Sequence, residues 1–209
     1  MDFKIVSGAI NAVILLIIGF IWLGIAVFLL RKKRKSLVYV LLFTIFYIYL
    51  YKVVDYTLLQ FQSLLLIKQF VPGLMLRGLS AGESVNLIPL ITLRPEDVKT
   101  SLLNILLMMP FGFGLPFITN FRIKRVIIAG AVFSIAIELL QLITGLISKM
   151  TFRIADINDV IFNTAGAAAG YLLFAAFVSL YCRAASKWNM RAFPKILMAE
   201  VLNRDNEKV

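Results

Sequence analysis

The sequence predicts an all-α integral membrane protein, a bundle of about five transmembrane helices. Of its 209 residues, 61% are hydrophobic and the mean hydropathy is +0.91, whereas a soluble domain is about 45–50% apolar. Five apolar runs are long enough to cross about 30 Å of hydrocarbon. They are residues 6–30, 37–59, 102–119, 126–147 and 157–181. Because no polar linker interrupts this pattern, we expect residues 1–209 to form a single membrane domain.

The positive charges predict how these spans are oriented. Basic clusters follow the first, third and fifth spans, at residues 31–35, 122–125 and 183–195. Since positive loops stay in the cytoplasm, the N-terminus lies outside and residues 183–209 form a basic cytoplasmic tail. The first span is too long for a cleaved signal peptide, and its charges follow the apolar core. No nucleic-acid-binding motif accompanies the basic residues, so their expected contacts are anionic lipid head groups.

Two residue types limit the available chemistry. The chain has no histidine, which excludes Ser-His-Asp and Cys-His catalytic sites and histidine-based metal sites. Its single cysteine, Cys182, cannot form a disulfide within the chain.

The second span ends in a polar stretch and leads into the one long connection. Lys52 and Asp55 are three residues apart, so they can pair on one helix face. The connection, residues 60–98, is expected to contain an interfacial helix broken at Pro72-Gly73. An Asn and a Pro within the apolar stretch 86–90 suggest backbone that folds back into the outer membrane edge.

The third span carries Asn104 near its start and contains Pro110 and Gly112. Pro110 removes one helix hydrogen bond. Two interpretations remain open, a kink that serves packing and a break that shapes a pocket beside Asn104.

The fourth span places a carboxylate near its middle. Glu138 and Gln141 lie on one helix face together with Ser134. A carboxylate at mid-membrane costs roughly 2.5–3.5 kcal/mol on insertion scales, so a partner or a function is expected for Glu138.

The fifth span carries a regularly spaced stripe. Its members share one helix face and are Arg153, Asp156, Asp159, Asn163, Gly166 and Gly170. Gly166 and Gly170 form a small-residue seam, which we expect to pack against a neighbouring span, the fourth. Glu138, Gln141 and Asn163 are then predicted to share one depth in the membrane.

The polar residues of these segments converge on a predicted pocket in the outer half of the membrane. Its expected members are Asn86, Asn104, Glu138, Gln141, Arg153, Asp156, Asp159 and Asn163. Either these groups only cross-link helices, or they bind the polar part of a ligand. Arg153 suits a phosphate or carboxylate, and Asp156 and Asp159 are candidate ligands of a divalent cation. No other cofactor is expected.

With these residues in place, the chain resembles the VanZ-like family. The matching blocks lie within about residues 85–175 and follow one another as Asn86-x-x-Pro89, Asn104 with Pro110-Phe111-Gly112, Glu138-x-x-Gln141, and Arg153-x-x-Asp156-x-x-Asp159 with Asn163, Gly166 and Gly170. The family's pattern often has Phe where this chain has Leu90. The resemblance implies a multi-pass protein of the bacterial cell membrane, associated with reduced susceptibility to teicoplanin-type lipoglycopeptides. It implies no settled biochemical activity.

Three functional hypotheses follow. In the first, the pocket binds a membrane lipid, a lipid-linked cell-wall precursor or the lipoglycopeptide itself, without catalysis. In the second, Glu138 is the general acid or base of an enzyme that modifies a phospholipid or lipid-linked precursor. The third is a small lipid flippase, although no inverted repeat is visible. The oligomeric state is left open by the sequence.

Overall fold

The computed structural model describes residues 3–59, 85–89, 95–148 and 155–187. In chain order the elements are α1 (Phe3–Arg31), α2 (Leu37–Val54), a π-helical segment (Asp55–Leu59), β1 (Val85–Asn86), α3 (Pro95–Ile118), α4 (Ile123–Ser148), β2 (Ala155–Asp156) and α5 (Ile157–Lys187). The five α-helices confirm the predicted helical fold class. Four of them contain stretches long and apolar enough to cross a membrane, namely residues 37–57, 98–118, 123–144 and 157–184. The described apolar part of α1, Leu15–Arg31, is shorter.

The closest helix packing surrounds Ala167 of α5, which is fully buried. A Cβ atom placed on Gly112 of α3 would lie 2.9 Å from the Ala167 Cα. A Cβ atom on Gly130 of α4 would lie 2.6 Å from the Ala167 Cβ. Glycine at both positions therefore lets α3 and α4 reach α5 together, as small residues do in membrane bundles.

The small-residue seam of α5 packs on a different helix from the one expected. A Cβ atom on Gly166 would lie 2.9 Å from the Ile105 Cα, and one on Gly170 would lie 2.9 Å from the Met109 carbonyl carbon. Both neighbours belong to α3, so the expectation that the seam faces α4 is wrong. The reason is that backbone atoms of Ile105 and Met109 in α3 are the nearest neighbours of these glycines, and Gly112 extends this close contact along α3.

Helix α3 continues through Pro110 and Pro116. The break considered at Pro110 therefore does not interrupt the helix. Gly112, two residues later, serves the close contact with Ala167 instead.

Tyrosine hydroxyls fasten α2 to its neighbours. Tyr49 donates to the carbonyl of Leu107 in α3 at 2.7 Å, and Tyr47 donates to the carbonyl of Ile18 in α1 at 3.0 Å. Such bonds satisfy polar groups inside an apolar bundle. The predicted pairing of Lys52 with Asp55 is confirmed at 3.5 Å.

Several predictions concern segments outside the described residues. They are the interfacial helix broken at Pro72-Gly73, the role of Arg153, and the tail beyond Lys187. The orientation of the termini across a membrane stays a prediction.

Candidate functional site

The polar residues meet where the chain enters α5. Strands β1 and β2 pair in parallel, with Val85 opposite Ala155 and Asn86 opposite Asp156. This short pairing places the segment around Asn86 against the start of α5. The Asn86 Oδ1 atom also accepts from the backbone N–H of Ile88 at 3.1 Å, which tightens the turn after β1.

Asp156 caps the start of α5 and gathers the site around its carboxylate. Its Oδ1 atom accepts from the backbone N–H of Asn158 at 2.8 Å and from the Asn86 Nδ2 at 3.0 Å. A side-chain acceptor at this position satisfies a free N–H of the first helical turn. Its negative charge also interacts favourably with the helix dipole.

Glu138 reaches this helix start from α4. Its Oε2 atom accepts the backbone N–H of Asp156 at 3.1 Å, and the side chain is only 8% exposed. The backbone at the start of α5 is therefore one partner of this carboxylate. The hydrogen bond and the positive end of the helix dipole both offset the cost of burying it.

Asp159, one turn further along α5, is bound from α3. The Asn104 Nδ2 donates to the Asp159 Oδ1 at 2.6 Å. Each aspartate of the stripe thus receives a side-chain amide from a different segment, Asn86 for Asp156 and Asn104 for Asp159.

The hydrogen bonds of Asn163, in α5, and of Gln141, in α4, lie on opposite sides of Glu138 along the axis of α4. The Asn163 Nδ2 donates to the Ser134 Oγ at 2.9 Å, one turn before Glu138. The Gln141 Nε2 donates to the carbonyl of Thr57 at 3.0 Å, almost one turn beyond it. The prediction that Glu138, Gln141 and Asn163 share one depth is therefore wrong. Because α5 begins level with Glu138, Asn163 reaches Ser134 instead.

All of these contacts lie within a stretch of the chain that matches a known family. Residues 53–178, more than half of the chain, match the VanZ/LLP1 family. The chain belongs to the VanZ-like family. The match confirms the resemblance and extends it from about residue 85 back to the end of α2, so that it includes the π-helical segment whose Thr57 carbonyl accepts from Gln141. No curated protein and no solved structure matches the chain significantly.

Membership of the VanZ-like family implies a membrane protein of a kind linked to teicoplanin resistance. The four described stretches that are long enough to span a bilayer agree with such a location.

Among the residues that the structure describes, two buried acceptors in this VanZ-like site lack a hydrogen-bond partner. They are the Gln141 Oε1 and the Asn163 Oδ1, on side chains that are only 6% and 5% exposed. Buried polar atoms in folded proteins are nearly always paired with protein, water or a ligand. The described part of the site is therefore rich in acceptors, since the amide donors of Asn86 and Asn104 are already engaged by carboxylates.

The sequence proposed Asp156 and Asp159 as ligands of a divalent cation. Within residues 3–59, 85–89, 95–148 and 155–187, no group of three or more Asp, Glu, Cys or His side chains is placed to hold a metal ion. One oxygen of each aspartate, Oδ1, already accepts a hydrogen bond from an asparagine amide.

Sequence reasoning placed Ser134 on the face of Glu138 but did not count it as part of the site. It missed Thr57 altogether. Thr57 contributes a backbone carbonyl, which any residue could supply, and no residue type signals the π-helical segment that presents it.

Proposed function

We propose that this VanZ-like protein lies in a bacterial plasma membrane and lowers susceptibility to teicoplanin-type lipoglycopeptides by binding an envelope ligand at the polar site. Family membership and the spanning helices support the location and the link to resistance. The charge distribution supports an orientation that places the start of α5 in the outer half of the membrane.

The observation that carries the proposal is the pair of buried acceptors on Gln141 and Asn163. Gln141 lies on the same face of α4 as Glu138. Asn163 lies on α5 and contacts that face at Ser134. A network that served only to join helices would satisfy its buried atoms internally, because an unpaired buried acceptor costs about 1–3 kcal/mol. Two such acceptors within about two helical turns support a ligand that supplies the missing donors.

The chemistry of the described residues favours the donor-bearing part of that ligand. Carboxylates and amide oxygens accept from hydroxyl and ammonium groups, which occur on the sugars and amines of lipid-linked cell-wall precursors and of lipoglycopeptides. Arg153, three residues before Asp156, is the candidate for a phosphate or carboxylate on the same ligand. In this arrangement the ligand is held at the outer leaflet, where it alters access of the antibiotic to its target.

Antibiotic susceptibility of cells carrying single variants tests the proposal. We expect Asp156→Asn and Arg153→Ala each to return teicoplanin susceptibility to the level of cells without the protein. Asparagine remains a good helix cap, so Asp156→Asn removes the charge while α5 keeps its start. Asp55→Asn is the matched control for loss of a carboxylate charge, because the Asp55 side chain is half-buried and its partner is Lys52, which is not a member of the polar site.

The amount of protein in the membrane is measured by immunoblot for every variant. Full protection by both Asp156→Asn and Arg153→Ala at normal amounts contradicts the proposal. Lipid mass spectra of the same cells separate binding from catalysis, since a lipid or precursor altered only when Glu138 is intact indicates an enzyme.

A further inference from the structure

A groove lies between α1 and α2, away from the polar site. It encloses about 340 Å³ and is lined by residues of two helices, Leu15, Ile18, Gly19, Trp22, Thr44, Tyr47, Ile48 and Tyr51. Around it α1 exposes large apolar side chains, including Leu16 and Phe20. In a membrane protein these side chains face lipid.

The interior of the groove is apolar although four of its side chains carry polar atoms, and three of these four are hydrogen-bonded within the protein. Trp22 Nε1 donates to Thr44 Oγ1 at 3.1 Å, and the Thr44 hydroxyl donates to the Val40 carbonyl at 2.7 Å. The Tyr47 hydroxyl donates to the Ile18 carbonyl at 3.0 Å. Because these groups are engaged with the protein, the groove offers hydrocarbon and aromatic surface to its occupant.

One end of the groove carries a positive and a negative charge. Thr44, Ile48, Tyr51 and Asp55 follow one another at steps of four, three and four, so Asp55 lies on the same face one turn beyond the groove. Asp55 pairs with Lys52 at 3.5 Å, and the two side chains are 40% and 68% exposed. The Lys52 ammonium also lies 5.3 Å from the ring centre of Tyr51, at the groove's end.

This combination is complementary to one class of lipid. We propose that the groove binds an acyl chain of a zwitterionic aminophospholipid, whose phosphate contacts Lys52 and whose ammonium contacts Asp55. An anionic lipid would satisfy Lys52 but would be repelled by Asp55. The proposal does not depend on the polar site, since Val53 and Thr57 on the other face of this segment are buried against the rest of the bundle.

Filling the groove tests the acyl-chain contact. The protein is reconstituted in vesicles with equal amounts of phosphatidylethanolamine and phosphatidylglycerol, extracted, and analysed by native mass spectrometry. We expect one retained phosphatidylethanolamine, and a loss of about fivefold or more in its occupancy for Gly19→Leu, which places a side chain in the groove. Gly24→Leu is the matched control, because a Cβ atom at either glycine meets nothing within 4 Å but Gly24 lies outside the groove.

Changing the charges tests the head group. Lys52→Gln should lower phosphatidylethanolamine occupancy about fivefold, whereas Lys99→Gln, at an exposed lysine of α3, should not. Asp55→Asn should shift the preference towards phosphatidylglycerol, since the repelling carboxylate is gone. Circular dichroism confirms that each variant keeps its helix content.

Three results overturn the proposal. The first is the absence of any retained lipid from the unchanged protein. The second is equal retention of the two lipids, which removes the head-group assignment. The third is an equal loss for Gly19→Leu and Gly24→Leu, which removes the groove.

Discussion

Two regions of α5 contact their neighbours through different kinds of group. From Gly166 to Gly170 the helix packs directly against backbone atoms of α3. From Asp156 to Asn163 it is held through polar side chains from β1, α3 and α4. The first region presents no unpaired polar atom among the residues described there, whereas the second leaves an Asn163 acceptor unpaired. The difference suggests that the glycine region fixes where α5 lies and the polar region determines what it does.

Elementary energetics supports this division. Inside a bilayer, helices associate mainly through close van der Waals packing, because lipid tails are as apolar as the helix surfaces. The glycine region provides that packing without any polar group to satisfy. The polar region gains hydrogen bonds but retains an unpaired acceptor worth about 1–3 kcal/mol of penalty.

The largest expected effect comes from filling the glycine region. In Gly170→Leu, the new Cβ atom would lie 2.9 Å from the Met109 carbonyl carbon and 2.9 Å from the Phe113 amide nitrogen. Backbone cannot give way as a side-chain end can, so α5 should separate from α3. We expect a loss of about 3 kcal/mol or more in the free energy of unfolding, measured by thermal denaturation in detergent.

Gly24→Leu is the control for this loss, because a Cβ atom there meets nothing within 4 Å. It should leave the unfolding free energy within about 0.5 kcal/mol of the unchanged protein. If Gly170→Leu were as stable as Gly24→Leu, the close backbone contact would not be what positions α5.

A smaller effect is expected inside the polar region, from Ser134 and Asn163. Ser134→Ala leaves the Asn163 Nδ2 unpaired beside an acceptor that is already unpaired, which should cost about 1–3 kcal/mol. The double variant Ser134→Ala with Asn163→Leu removes both partners and should be more stable than Ser134→Ala alone. Denaturation of the two single variants and the double variant measures this coupling, and simple additivity contradicts it.

The glycine region shows what sequence reasoning can reach. The spacing of Gly166 and Gly170 predicted a packing seam, and the seam exists. Its partner was misassigned because spacing along one helix carries no information about which neighbour approaches. Gly112 on the third span could have indicated that partner, but a glycine close to Pro110 indicates a bend in the helix equally well.

The polar region shows where sequence reasoning ends. Asn86 and Asp156 were both identified, and they do meet. Their meeting depends on strands of two residues each, too short to produce a periodic pattern. Depth was misjudged for Asn163 because helix α5 begins level with Glu138, a register that only the cap at Asp156 reveals.

The smallest effect on stability should come from Gln141→Met, and this variant separates the two roles most sharply. It removes the hydrogen bond to the Thr57 carbonyl and, with it, the unpaired Oε1. The buried Thr57 carbonyl loses the Gln141 donor, which costs about 1–3 kcal/mol, and the removal of the unpaired Oε1 returns a similar amount, so the unfolding free energy should change by less than about 1 kcal/mol. If the polar region exists for a ligand, teicoplanin protection should nevertheless fall clearly. Protection that stays intact in a stable Gln141→Met protein would return Gln141 to a purely structural role and weaken the contrast between the two regions of α5.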